Sequence, residues 1–135
     1  MSSYTKPLPE IDPYSKGFWT HAHSHRLSVQ VCAECGQRTF PASPVCPACL
    51  SDALDWKAVS GRGTLISWVT FHRAYWDSFR SELPYHVCVV ELEEGPLVVG
   101  NFVNGIPDGV RMGMPMRAVF EDVTADISLL RFAPT

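Results

Sequence analysis

The chain has 135 residues, enough for one compact domain or for a small module joined to a slightly larger one. Apolar residues make up 46% and charged residues 19%, an ordinary balance for a globular protein, and no apolar run approaches the ~20 residues that span a bilayer. The net charge is −3, and residues 60–135 set six arginines and no lysine against nine carboxylates. The clustered positive charge with which nucleic-acid binders neutralise phosphates is missing from every segment. No secretory signal, lipidation motif or membrane span is visible, so the expected location is the cytoplasm.

Residues 1–11 carry Pro7 and Pro9 and read as an extended arm. Asp12-Pro13 is a helix start, with Asp as cap and Pro at the first helical position. Tyr14, Phe18, Ala22 and His25 then recur at helical spacing with Trp19 beside them, which predicts a helix of about twelve residues. His21 and His25 would lie one turn apart on it, with His23 between. Two imidazoles make an incomplete metal site, and helix-end packing or solvent exposure is the expected role of all three.

Leu27, Val29 and Val31 alternate with polar residues as a short strand that feeds the first of two cysteine knuckles, Cys32-Ala-Glu-Cys35. The second, Cys46-Pro-Ala-Cys49, follows after ten residues. Two thiolates spaced this way turn back onto one ion, and two such pairs close the tetrahedral sulfur cage that zinc takes in structural sites, with iron the competitor on the same ligands. All four positions would be filled by protein, so the metal holds structure and leaves no place for water or substrate. Gly36 supplies positive φ at the first bend. Arg38-Thr39-Phe40 should be the strand between the knuckles, stopped by Pro41 and Pro44, and Leu54, Trp56 and Ala58 alternate beyond the second. Short strands around one metal make a zinc ribbon.

From Ser60 the strands lengthen. Thr64–His72, Tyr85–Leu92 and Leu97–Val103 are rich in β-branched and aromatic residues, and Glu93-Glu94-Gly95-Pro96 reads as the hairpin turn between the last two. Met116–Phe120 and Ile127–Phe132 add two more. Five strands with no long helical pattern between them predict a small closed barrel of the OB type. Cys88 alternates with valines and is expected to be a buried apolar residue. Gly61-Arg62-Gly63 has no following helix and reads as a strand entry.

The chain resembles a known family in the order of its motifs. Phe18-Trp19 precedes Cys32-x-x-Cys35-Gly36, Phe40-Pro41 and Cys46-Pro47-x-Cys49; Ser60-Gly61-Arg62-Gly63-Thr64 opens the barrel, and Gly113-Met114-Pro115-Met116 with Arg117-Ala118-Val119-Phe120-Glu121 comes late. This order, from about Asp12 to Pro134, is similar to that of the zinc-ribbon plus OB-fold proteins long filed as a domain of unknown function. Leu50 departs from it, because the second knuckle of such ribbons often has glycine there. The resemblance implies a companion of thiolase-superfamily enzymes: thiolases, acyltransferases, hydroxymethylglutaryl-CoA synthases, or the aldolases that shorten steroid side chains. It also implies acyl-CoA as the ligand handled by the complex and a hot-dog-fold hydratase as a further associate.

The resulting expectation is a mainly β chain with three parts. Residues 1–27 form the arm and N-terminal helix, 28–59 a rubredoxin-like zinc ribbon held by Cys32, Cys35, Cys46 and Cys49, and 60–135 a five-stranded OB-fold barrel. Its expected function is that of a non-catalytic accessory subunit that binds a thiolase-like enzyme and helps it bind or channel an acyl-CoA. Arg73, Tyr75, Trp76, Phe79 and Arg80 crowd between the first two barrel strands, and aromatic and arginine side chains of this kind dominate interface hot spots and hold nucleotide phosphates. The bland alternative is a loop whose rings fold back over the barrel mouth. The rival function is single-stranded nucleic-acid binding, which needs a positive groove beside its stacking rings and meets the charge count as an objection. An enzyme using Cys88 or a histidine ranks last, since no nucleophile and base are placed together in the sequence.

Overall fold

A computed structural model describes residues 4–135, so the first three residues of the expected arm lie outside it. The arm leads into a turn at Pro13–Ser15, and helix α1 runs over Lys16–His23. This helix has 8 residues, shorter than the sequence pattern predicts, and both ends show why. Asp12 does cap, but one turn early: its Oδ1 accepts from the backbone N–H of Tyr14 at 2.9 Å and of Ser15 at 2.8 Å. At the other end His25 takes a left-handed φ of 59° and the N–H of Arg26 returns to the carbonyl of His21. That is the αL termination of a helix, performed by a histidine instead of a glycine.

Strands β1 (Ser28–Cys32), β2 (Arg38–Thr39) and β3 (Leu54–Ala58) form an antiparallel sheet in the order β2-β1-β3. Gln30, buried in the central strand, spends its amide on Ser43, whose N–H it accepts at 2.9 Å and whose carbonyl it donates to at 3.1 Å. One polar side chain thereby pins the proline-rich segment between the knuckles onto β1, and its own burial is fully hydrogen-bonded.

β4 (Arg62–Phe71), β5 (Tyr85–Leu92), β6 (Leu97–Phe102), β7 (Pro115–Asp122) and β8 (Ser128–Pro134) close a barrel in the order β4-β5-β6-β8-β7. All contacts are antiparallel except β6 with β8. β4 serves both β7 and β5, and a shift of register between Leu65 and Ser67 lets one strand bend across the two. Alternate residues point inward, so Leu65, Cys88, Val90, Val98, Met116 and Phe132 are sealed from solvent. The fold is therefore mainly β, with one N-terminal helix, a four-cysteine ribbon and a closed five-stranded OB-fold barrel.

Helix, ribbon and barrel share one apolar core. Phe18 of α1 meets Trp19, Phe40 and Trp56 with ring centroids 4.8, 5.6 and 5.9 Å away. The indole of Trp56 lies so close to the helix that a Cβ built on Gly17 would sit 2.1 Å from its Cδ1, and the indole N–H donates to the carbonyl of Tyr14 at 2.9 Å. On the barrel side, His25 stacks on Phe120 and its Nε2 lies 2.8 Å from Asp122 Oδ1, which also accepts the hydroxyl of Ser128. At the ribbon seam, Arg38 donates to the carbonyl of Glu94 at 3.0 Å, and Glu94 accepts the N–H of Ser60.

A candidate metal centre and an aromatic surface

The two knuckles fold alike. In the first, the N–H of Gly36 returns to the carbonyl of Cys32 at 2.9 Å; in the second, the N–H of Leu50 returns to the carbonyl of Cys46 at 2.8 Å. Both bends need a left-handed residue, Gly36 at φ 78° and Leu50 at φ 66°. The sequence departure at Leu50 thus falls on a position that a branched side chain occupies at a conformational cost.

These bends bring four sulfurs together. Cys32 and Cys49 are 3.6 Å apart, as are Cys35 and Cys46, and all four Sγ atoms lie within 4.8 Å of one another. A disulfide needs about 2.05 Å, so no pair is bonded. A tetrahedral ion with metal–sulfur bonds of about 2.3 Å separates its ligands by roughly 3.8 Å, close to the two short pairs and within reach of the whole set after a small contraction. The N–H groups of Cys35 and Glu34 hold the Cys32 thiol down to about 7, and those of Cys49 and Ala48 lower the Cys46 thiol. Backbone donors of this kind favour the thiolate, which is the form that binds metal; at Cys35 and Cys49 the N–H groups of Gln37 and Ser51 act the same way, but burial and the neighbouring sulfurs outweigh them and push both thiols up. Cys32 and Cys46 are buried while Cys35 and Cys49 face outward, so the cage sits at the tip of the ribbon. Among the described residues these four form the only group of three or more side chains spaced to hold a metal ion.

The segment between β4 and β5 forms a 3-10 helix at Asp77–Glu82. Phe71 and Tyr85, register partners at the facing strand ends, stack with centroids 5.0 Å apart and planes 11° off parallel. Phe79 packs on Tyr85 at 5.7 Å, Trp76 on Phe79 at 6.2 Å, and Tyr75 meets Phe71 edge-on at 6.5 Å. The five rings make one cluster whose inner members are half-buried, while Tyr75 is 59% and Trp76 58% exposed. Phe79 folds back onto the strand ends, while Tyr75 and Trp76 face outward. The guanidinium of Arg73 lies 5.2 Å from the Tyr75 ring centroid, and Arg80 is paired with Asp77 at 2.8 Å.

Sequence reasoning named Tyr75, Trp76 and Phe79 and missed the base of the cluster. Phe71 and Tyr85 close the strands on either side of the loop, so pairing those strands would have brought them together. It also missed the groove of about 620 Å³ beside the cluster, bounded by Trp76, Phe79, Val99, Asn101 and Arg131 and by the arm residues Tyr4 and Lys6.

The remaining candidates are dispersed. His21 Nδ1 lies 2.8 Å from the carbonyl of Gly17, His23 is exposed, and His25 leaves the helix face for the barrel. Cys88 is sealed inside the barrel, where burial pushes its thiol up to about 11 and keeps it protonated. Among the described residues no helix is long and apolar enough to cross a membrane.

Residues 19–55 match the family described as the rubredoxin-like zinc ribbon domain of ChsH2, and residues 56–121 match the C-terminal OB-fold domain of ChsH2. A solved structure described as the Ltp2-ChsH2(DUF35) aldolase superimposes with a TM-score of 0.81 at 32% identity, covering 94% of this chain and 98% of that one. A DUF35 domain-containing scaffold protein of Methanocaldococcus jannaschii is 32% identical, covering 80% of this chain and 77% of the relative. A probable enoyl-CoA hydratase alpha subunit of Thermomonospora curvata is 34% identical over 96% of this chain, which spans only 40% of that relative's length. Matching motifs, matching architecture and this depth of similarity agree, and the chain belongs to the DUF35 family of zinc-ribbon plus OB-fold proteins.

Proposed function

We propose that the chain is a non-catalytic accessory subunit of a thiolase-like aldolase complex, that its ribbon carries one structural zinc ion, and that it helps the partner bind an acyl-CoA. The observation that carries this reading is the likeness, over nearly the whole of both chains, to the DUF35 component of the Ltp2-ChsH2 aldolase. The scaffold description of the archaeal relative points the same way, and the hydratase description of the bacterial one adds a hydratase subunit as a further associate. Location in the cytoplasm is part of the same proposal.

The physical role follows from what the chain offers. Zinc on Cys32, Cys35, Cys46 and Cys49 stiffens the ribbon and supplies no open coordination position. The ribbon and α1 brace the barrel, which holds the loop with Tyr75 and Trp76 outward and Arg73 beside them. Rigid, exposed aromatics flanked by guanidinium are the side chains that anchor interfaces, so this loop meets the partner and the acyl-CoA it carries. Bond-making falls to the partner, because the one thiol outside the metal cage is buried and protonated.

The test is reconstitution. The purified chain alone should show no turnover of acyl-CoA esters, and added partner enzyme should show activity that depends on it. Thioester cleavage or carbon–carbon bond chemistry by the single chain, lost on Cys88→Ala, would refute the accessory role.

A further inference from the structure

The groove beside the aromatic cluster has an occupant of its own. Tyr4, Lys6 and Pro7 of the arm line it. Lys6 is ion-paired with Glu82 of the 3-10 helix, and its ammonium also lies 5.8 Å from the Phe79 ring centroid and 5.3 Å from that of Tyr4. Tyr4, two residues earlier, lines the same groove as Glu121 and Arg131, and partial burial pushes its phenol up, with Arg131 opposing and Glu121 adding to the shift. Arg131 is itself held in place, donating to Glu121 at 2.9 Å and to Asn101 at 3.1 Å. The groove therefore offers both a carboxylate backed by an aromatic face and a fixed polar pair. An extended segment with an aromatic residue, one spacer and a basic residue satisfies both.

Among the described residues, side-chain contacts rather than strand pairing hold the arm. Residues 4–11 make no strand ladder with the barrel, Glu82 is 44% exposed in the ion pair, and partly exposed ion pairs and cation–π contacts are individually weak. About 620 Å³ of open groove remains beside the arm. A tethered occupant of this kind is a built-in competitor whose effective concentration sets how hard it is to displace.

We propose that this groove is a docking site for an extended aromatic–X–basic segment of a partner protein, and that Tyr4-Thr5-Lys6 is the intramolecular stand-in which such a segment displaces. The proposal deepens the accessory-subunit reading by naming what the partner inserts. Its test uses the chain alone, so its failure leaves that reading untouched.

The probe is a capped peptide of residues 4–8, Tyr-Thr-Lys-Pro-Leu, titrated into the full chain and followed by amide and indole resonances. Lys6→Ala should release the arm and expose the site. The peptide should then bind this variant at least roughly fivefold more tightly than the wild-type chain, with shifts at Trp76, Phe79 and Asn101, since a short tether competes at an effective concentration of ~mM. Glu82→Lys should abolish binding of this peptide and accept one carrying Glu in place of Lys. Equal binding to wild type and Lys6→Ala, absence of binding to both, or shifts confined elsewhere would overturn the proposal. So would concentration-dependent dimerisation of the Lys6→Ala chain through the groove, which would make a second copy its occupant.

Discussion

Leu50→Gly should strengthen the metal site. The left-handed region costs a branched L-residue roughly 1–2 kcal/mol, and Leu50 sits there at φ 66°. Its side chain is 74% exposed, so removal gives up little burial. Glycine loses more backbone entropy on folding, roughly 0.5–1 kcal/mol, and leaves a net gain of about 1 kcal/mol or slightly less. Folding of a zinc ribbon and binding of its ion are one equilibrium, so the gain should appear as up to roughly fivefold tighter zinc binding. The first knuckle supplies the mirror experiment. Nothing lies within 4 Å of a Cβ built on Gly36, so Gly36→Leu meets no clash and should weaken zinc by a similar factor through conformation alone. Competition against a chromophoric chelator measures both variants. Weaker binding by Leu50→Gly would show that the knuckles are not governed by backbone conformation and that the exposed leucine packs on something the free chain needs.

Gly17→Ala places a methyl 2.1 Å from the Trp56 ring and should cost roughly 1–3 kcal/mol as the indole is forced off the helix, seen as a lowered melting temperature with zinc still bound. Trp76→Ala should weaken partner binding by ~2 kcal/mol, roughly thirtyfold, while melting is nearly unchanged; a fall of many degrees with intact binding would place the ring in the core instead. The hydroxyl of Ser128, then His25, hold the Asp122 carboxyl below its ordinary value of 3.8. Its contribution to stability is therefore complete above that value and is lost as pH falls through the lower, folded one. An acid titration of stability should show this extra loss in the wild-type chain, and Asp122→Asn should lack it.

The parts of the fold written by local pattern were legible in the sequence. Cysteine spacing foretold the convergence of four sulfurs, and period-two alternation located β5 and β3 at their observed bounds, because side-chain burial in a sheet repeats along the chain itself. What sequence reading lost depends on contacts between distant residues. The helix was drawn too long because Asp12 capping a preceding turn looks in sequence like Asp12 capping the helix. His25 was placed on the helix face because its role as a left-handed terminator follows from Asp122 and Phe120, nearly a hundred residues away. The groove was invisible for the same reason: Lys6, Glu82 and Arg131 are brought together only by barrel closure. The rings Tyr75 and Trp76 were legible because they crowd into a segment that must leave the sheet between two strands, and their exposure follows from that position.

Native purification measures the accessory role most directly. The chain, tagged and recovered gently from its own cell, should bring down a thiolase-class enzyme in fixed stoichiometric ratio, identified by mass spectrometry and retained as one species through gel filtration. Recovery of the chain alone under those conditions, or bound to nucleic acid, would contradict the account.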